Sequence, residues 1–282
     1  MELELGEYDD TDYFFVPTNH PGISKLTFIG DRLRIFYQCH QQPQELFKKL
    51  KTLPSLQSLH FHFDESWDGE NDDRTFFYDG LIELLEQQRA AGSPITQLGL
   101  RYRSPDKRQE IRFFKYLFQT QPLVDHVDYS LSGIRGLPFE FVPVITCKVN
   151  KLELNGCIMD DMFNRYREYY DDDDDDEQDM VPRFQSFNNV DKITVLCHQS
   201  YDFISGLLRY NTQSLSIVIK HLRPVPVTNG DVDGLQMVID AIQDNPLLHN
   251  VQIGLSRHHD YTSLLAALQQ HPNHATLLTV NT

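Results

Sequence analysis

One apolar spacing recurs along this chain and restricts its fold more than any other feature. An apolar residue is followed by two variable ones, a second apolar residue, one variable residue and a third apolar one. It occurs as Ile23, Leu26, Phe28, as Leu56, Leu59, Phe61, as Ile95, Leu98, Leu100, and as Val124, Val127, Tyr129. It continues as Val149, Leu152, Leu154, then Val190, Ile193, Val195, and Leu248, Val251, Ile253. Weaker copies fall at Leu215 and Ile217, with Thr212 in first place, and at Ala275, Leu278, Val280. The second half of each unit has period two, which predicts a short strand with one buried face.

Between these units the period changes. YDGLIELLEQQRAAG, EIRFFKYLFQTQ, GLQMVIDAIQDN and YTSLLAALQQH place apolar residues three and four apart, the stripe of an amphipathic helix. Turn signals close several of them: Gly92-Ser93-Pro94, Gln121-Pro122, Asn245-Pro246 and His271-Pro272. The steps between the middle residues of successive units are 33, 39, 29, 25, 41, 22, 36 and 27 residues. Strands alternating with helices at such intervals pair in parallel through right-handed crossovers. A doubly wound sheet shares this alternation, but it favours fewer, longer strands and a glycine-rich loop. Nine short strands of one pattern favour an α/β solenoid instead.

The units resemble leucine-rich repeats of the ribonuclease-inhibitor-like type. VNKLELNGC is the closest match, with Leu152, Leu154, Asn155 and Cys157 near the family's L-x-L-x-x-N/C positions. LPSLQSLHFHF matches the L-x-x-L-x-L core, and NPLLHNVQIGL resembles the asparagine-proline start of such repeats. The asparagine or cysteine after the strand is mostly missing elsewhere, and the repeat lengths are uneven. The resemblance implies a right-handed solenoid with a parallel concave sheet and helices on the convex side. It would span residues 21–282 as one irregular domain, after an acidic N-terminal segment, residues 1–20. Proteins of this family are mostly partner-binding scaffolds; some are F-box subunits of ubiquitin ligases and some are effectors delivered by intracellular bacteria. No F-box helical pattern precedes the first repeat.

Charge narrows the partners. The 282 residues carry 25 basic and 41 acidic side chains, a net charge of −16, which repels a phosphate backbone and argues against nucleic acid. Asp171 to Asp176 and Glu177 supply seven of the excess charges within the longest step, so they belong to a loop insertion at about 166–182. That run has no apolar face and reads as a solvated loop, with a docking strip for a basic partner or a weak divalent-cation trap as sharper alternatives. It lacks the glycine and alternating ligands of an EF-hand loop. No apolar stretch is long enough for a membrane span, and MELELGEYDD lacks the basic and apolar regions of a secretory signal. Cys39, Cys147, Cys157 and Cys197 are scattered without a CxxC pair, and no N-x-Ser/Thr acceptor occurs. These features favour a cytoplasmic monomer, in the host cytoplasm if the chain is a secreted effector.

Alternation also selects the candidate binding residues. With Leu59 and Phe61 inward, His60 and His62 point to the opposite face. The same parity exposes Thr27, Ile29, Gly99, Arg101, Arg103, Asp128, Ser130, Glu153, Asn155, Thr194, Leu196, Ser216, Val218, Gln252 and Gly254. Solenoids bind partners on such faces. His60, His62, Arg101, Arg103, Asp128, Glu153, Asn155 and Gln252 are therefore the candidate partner-binding set. The alternative is that these charges merely solvate the sheet and pair across strands. His60 and His62 lack the third and fourth ligands a zinc ion needs, and His258, His259 and Asp260 fall in a loop, so no metal site is expected. The chain has no P-loop, G-x-G-x-x-G, G-x-S-x-G or H-E-x-x-H. A protein-binding scaffold without cofactor or catalysis is the first expectation. An enzyme, or a ubiquitin-ligase substrate-recognition subunit, is the alternative.

Overall fold

Alternating side chains of period two bury one face of each short strand, and helices of period 3.6 cover that face. The computed structural model describes residues 1–5, 21–31, 43–64, 75–101, 107–130, 144–155, 180–196, 201–222, 234–256 and 260–281. These form two compact units, Met1–Ser132 and Gly133–Thr282. The class is α/β with parallel strands. No helix among the described residues is long and apolar enough to cross a membrane.

The first unit contains β1 (Glu2–Leu5), β2 (Lys25–Asp31), α1 (Pro43–Leu50), β3 (Ser58–Asp64), α2 (Thr75–Ala90), β4 (Gln97–Arg101), α3 (Lys107–Thr120) and β5 (Leu123–Ser130). Its strands pair in parallel and in chain order. β1 arises inside the segment expected to be only an acidic lead, and its Leu3 and Leu5 fall in register with the core residues Leu26 and Phe28. Ile23, Leu26, Phe28, Leu56, Leu59, Phe61, Ile95, Leu98, Leu100, Val124 and Val127 are all buried, as the spacing requires. Phe61 of β3 meets Phe77 of α2 edge-on at 5.1 Å, which places that helix on the buried face. α2 ends at Gly92, whose φ of +79° suits a residue without a Cβ. There Ser93 N–H donates to the Gln88 carbonyl and Gly92 N–H to that of Arg89, the paired bonds of a Schellman cap.

The second unit contains β6 (Lys148–Asn155), α4 (Met180–Ser186), a 3₁₀ turn (Phe187–Asn189), β7 (Val190–Leu196), α5 (Tyr201–Tyr210), β8 (Ser216–Leu222), α6 (Gly234–Asp244), β9 (Val251–Leu255), α7 (Thr262–Gln270), a second 3₁₀ turn (His274–Thr276) and β10 (Leu277–Asn281). These strands too run parallel in chain order, with an irregularity in the β8–β9 register between Ile219 and Leu222. The weak sequence copies are corrected here. Leu215 is 57% exposed, and Ile217 and Ile219 are the buried pair. In β10 the inward residue is Leu277, while Leu278 and Val280 are 57% and 41% exposed. Leu277 stands in register with buried Val251, which fixes the parity one residue earlier than the apolar pattern implied.

Successive repeats of this unit are tied by buried polar side chains. Asn245 Nδ2 donates to the carbonyls of Leu208 and Asn211 at 2.7 and 2.8 Å, and its Oδ1 accepts from Leu247 N–H. One repeat on, His271 Nδ1 accepts from Asn273 N–H, so Nε2 carries the proton and donates to the Asn245 carbonyl at 2.9 Å. Ser214 donates to the Val190 carbonyl, and Asn188 receives the N–H groups of Thr212 and Gln213. These bonds satisfy main-chain groups that the helix-to-strand turns leave open.

Candidate functional site

The strand residues that alternate with the core stand on the sheet face opposite the buried one, and register sorts them into rows. In the first unit one row is Lys25, Ser58, Gln97 and His126, and the next is Thr27, His60, Gly99 and Asp128. The third is Ile29, His62, Arg101 and Ser130, so the backbone brings Arg101 beside His62. Glu2 and Glu4 of β1 extend the first two rows, and Lys25 Nζ pairs with the Glu2 carboxylate at 3.2 Å. Arg103 lies outside the described residues, as does the acidic run 171–177.

His60 is the centre of this grid. Its imidazole leans over Gly99 on the next strand, where a Cβ would clash with Nδ1; only glycine leaves room for the ring. The Ser58 hydroxyl lies 2.9 Å from Nε2 and fixes the ring from its own strand. His62 stands edge-on to it with centroids 5.8 Å apart. Burial lowers the His60 pKa to about 4, with His62, Lys25 and His126 pushing the same way and Asp128 opposing them. His60 is therefore a neutral, half-buried ring at neutral pH. Asp128, expected to be exposed, is only 7% accessible.

In the second unit the rows are Lys151, Lys192 and Ser216; then Glu153, Thr194, Val218, Gln252 and Leu278; then Asn155, Leu196 and Lys220; with Gly254 beside Val280. Register differs from the expected grid, because Ser216 stands beside Lys192 and Thr194 beside Val218. Gln252 is exposed, whereas Thr194, between Glu153 and Val218, is buried. The Glu153 carboxylate pairs with Lys151 Nζ at 3.1 Å on its own strand. Of the candidate set, His60, His62, Arg101 and Asp128 share the first unit's face, and Glu153, Asn155 and Gln252 share the second's.

Three other expectations can be placed. Cys147 is buried, and burial pushes its thiol pKa up, which suppresses thiolate chemistry. Cys39, Cys157, Cys197, His258 and His259 lie outside the described residues. Exposed Asp260 accepts the N–H and hydroxyl of Thr262 at the start of α7. Among the described residues no group of three or more His, Cys, Asp or Glu is placed to hold a metal ion.

On β2 to β7 the open face begins one outward residue earlier than the expected array. Lys25, Ser58, Gln97, His126, Lys151 and Lys192 each precede the middle core residue, and extending the alternation by two would have found them. No protein-family model matches this chain, and no curated protein matches it either.

Proposed function

We propose that this chain is an interaction protein of the leucine-rich-repeat type that binds another protein through the open face of its parallel strands. One observation supports this most. Strand after strand repeats the same buried positions on one face, while the other face presents in-register rows of polar and ionisable side chains around His60. A grid of side chains at the strand spacing of about 4.8 Å, repeated over several strands, suits an extended protein surface better than a small molecule, which is usually held in an enclosed pocket. Arginine supplies bidentate bonds and an apolar stem at interfaces, so Arg101 and Arg103 are the assigned polar anchors.

The test is Arg101→Glu with Arg103→Glu, read on the same protein by affinity capture with mass spectrometry and by thermal unfolding. Exposed charges contribute under about 1 kcal/mol each, so the unfolding transition should hardly move. Recovery of the partner should fall tenfold or more, since loss of an interface anchor commonly costs roughly 2 kcal/mol. Undiminished capture would remove this patch from the binding face.

A further inference from the structure

We infer that the open face of the second unit docks an acidic peptide segment whose apolar residue lies about four residues from its carboxylates. This deepens the reading that the open face binds protein, and it names the partner's chemistry.

The first observation is electrostatic. In a chain with net charge −16, this face gathers Lys151, Lys192 and Lys220 against, among the described residues, the single carboxylate of Glu153. Glu153 is engaged by Lys151. Lys192 and Lys220 are exposed, and neither forms an ion pair among the described residues. Lys151 and Lys192 are direct register partners on adjacent strands, and the one carboxylate beside them, that of Glu153, bonds Lys151 and leaves Lys192 to attract a further anion. The first unit differs: its face places Glu2, Glu4 and Asp128 among Lys25 and the histidines.

The second observation is apolar and lies beside the first. Val218 of β8 faces the same side, and Leu278 and Val280 of β10 stand 57% and 41% exposed on it. From Lys192 on β7 to Leu278 on β10 is three strand steps, about 14 Å at 4.8 Å per step. An extended peptide crossing the strands covers that span in about four residues, which sets the separation between its carboxylates and its apolar side chain. Lysine reads such carboxylates as point charges and tolerates variation in their placement.

The experiment uses the full chain and a fluorescent peptide with a glutamate block and a leucine pair about four residues further on. Anisotropy should show saturable binding that weakens as salt rises, and leucine-to-serine or glutamate-to-lysine control peptides should bind at least roughly tenfold more weakly. Lys192→Glu with Lys220→Glu should lose binding by tenfold or more, and Leu278→Ser by several-fold, with circular dichroism unchanged. Should the reversal disturb folding, Lys192→Gln with Lys220→Gln serves instead, with a smaller loss in the same direction. Three results would each overturn the inference: no peptide binding up to about 1 mM, equal binding by the lysine variants, or displacement of the peptide by a mixed-sequence oligonucleotide. Failure here is separable from failure of the broader reading. If a captured partner ignores the lysine changes but is lost with Arg101→Glu and Arg103→Glu, only the acidic-peptide inference falls. If neither set affects capture, both fall.

Discussion

The two units bury similar strands and use both rings and buried polar groups between repeats, but rings are the more continuous in the first unit and polar bonds in the second. In the first, rings form a continuous relay: Phe28 stacks on Phe61 at 5.1 Å, Phe61 meets Phe77, Phe77 meets Tyr78, and Tyr78 meets Phe113 at 5.4 Å. In the second, Asn188, Ser214, Asn245 and His271 carry hydrogen bonds from one repeat to the next. Ring contacts carry a modest geometric preference, but most of their stabilisation scales with buried area and volume, so they tolerate a change of shape that keeps the volume. Buried amides are directional, and a lost partner strands a carbonyl or N–H away from water. The first unit therefore leans more on the forgiving device and the second on the exacting one, although Gln88 bonds the Leu50 and Leu53 carbonyls in the first and Phe187 packs on Phe203 in the second.

The largest effect should come from the ring relay. Phe61→Ala removes a fully buried ring that touches both a strand and a helix neighbour, and should cost about 3–5 kcal/mol in urea unfolding. Phe61→Leu should recover most of that loss. A cost for Phe61→Leu equal to that for Phe61→Ala would show that ring geometry, rather than volume, holds the first unit.

Asn245 should respond in the opposite way. Asn245→Ala leaves the carbonyls of Leu208 and Asn211 and the N–H of Leu247 without their partner, a loss of about 2–3 kcal/mol. Asn245→Leu, of similar volume but apolar, should be no better than alanine. His271→Asn, which keeps a donor and an acceptor at the equivalent turn, should cost less than His271→Leu by about 1 kcal/mol. Recovery by Asn245→Leu would erase the contrast between the units.

That contrast was only half legible in the sequence. The buried triplets were readable because a strand exposes its period directly, and Leu59 and Phe61 need no distant information to be placed inward. β10 was not, because Leu277 and Leu278 are both apolar and only pairing with Val251 selects which turns in. Asn245-Pro246 and His271-Pro272 read as turns from their prolines. Their inward side chains answer to carbonyls far away in the chain, Asn245 to that of Leu208 and His271 to that of Asn245 itself. Among candidate binding residues, facing direction followed parity at His60, His62 and Gln252. Depth did not: Asp128 has the parity of His60 yet is buried, since accessibility depends on neighbouring columns that alternation does not encode.

A further effect, smaller than the loss at Phe61 or Asn245, is a pH dependence seated in the first unit. The His60 imidazole has a pKa of about 4 in the folded chain against an ordinary 6.5, so the unfolded chain takes up the proton first. Stability from this group is complete above pH 6.5, declines as pH falls towards about 4, and levels off below. With a half-exposed ring partly screened by water, the full change should be about 1–2 kcal/mol. His60→Gln should flatten that part of the stability-against-pH curve. Gly99→Ala sharpens the assignment, because the added methyl must push the ring off its neighbour and towards solvent. The imidazole pKa, followed by NMR, should then move up towards 6.5 and the pH slope should shrink. An unmoved pKa in Gly99→Ala would mean that His60 owes its depressed value to its charged neighbours rather than to its place over the glycine.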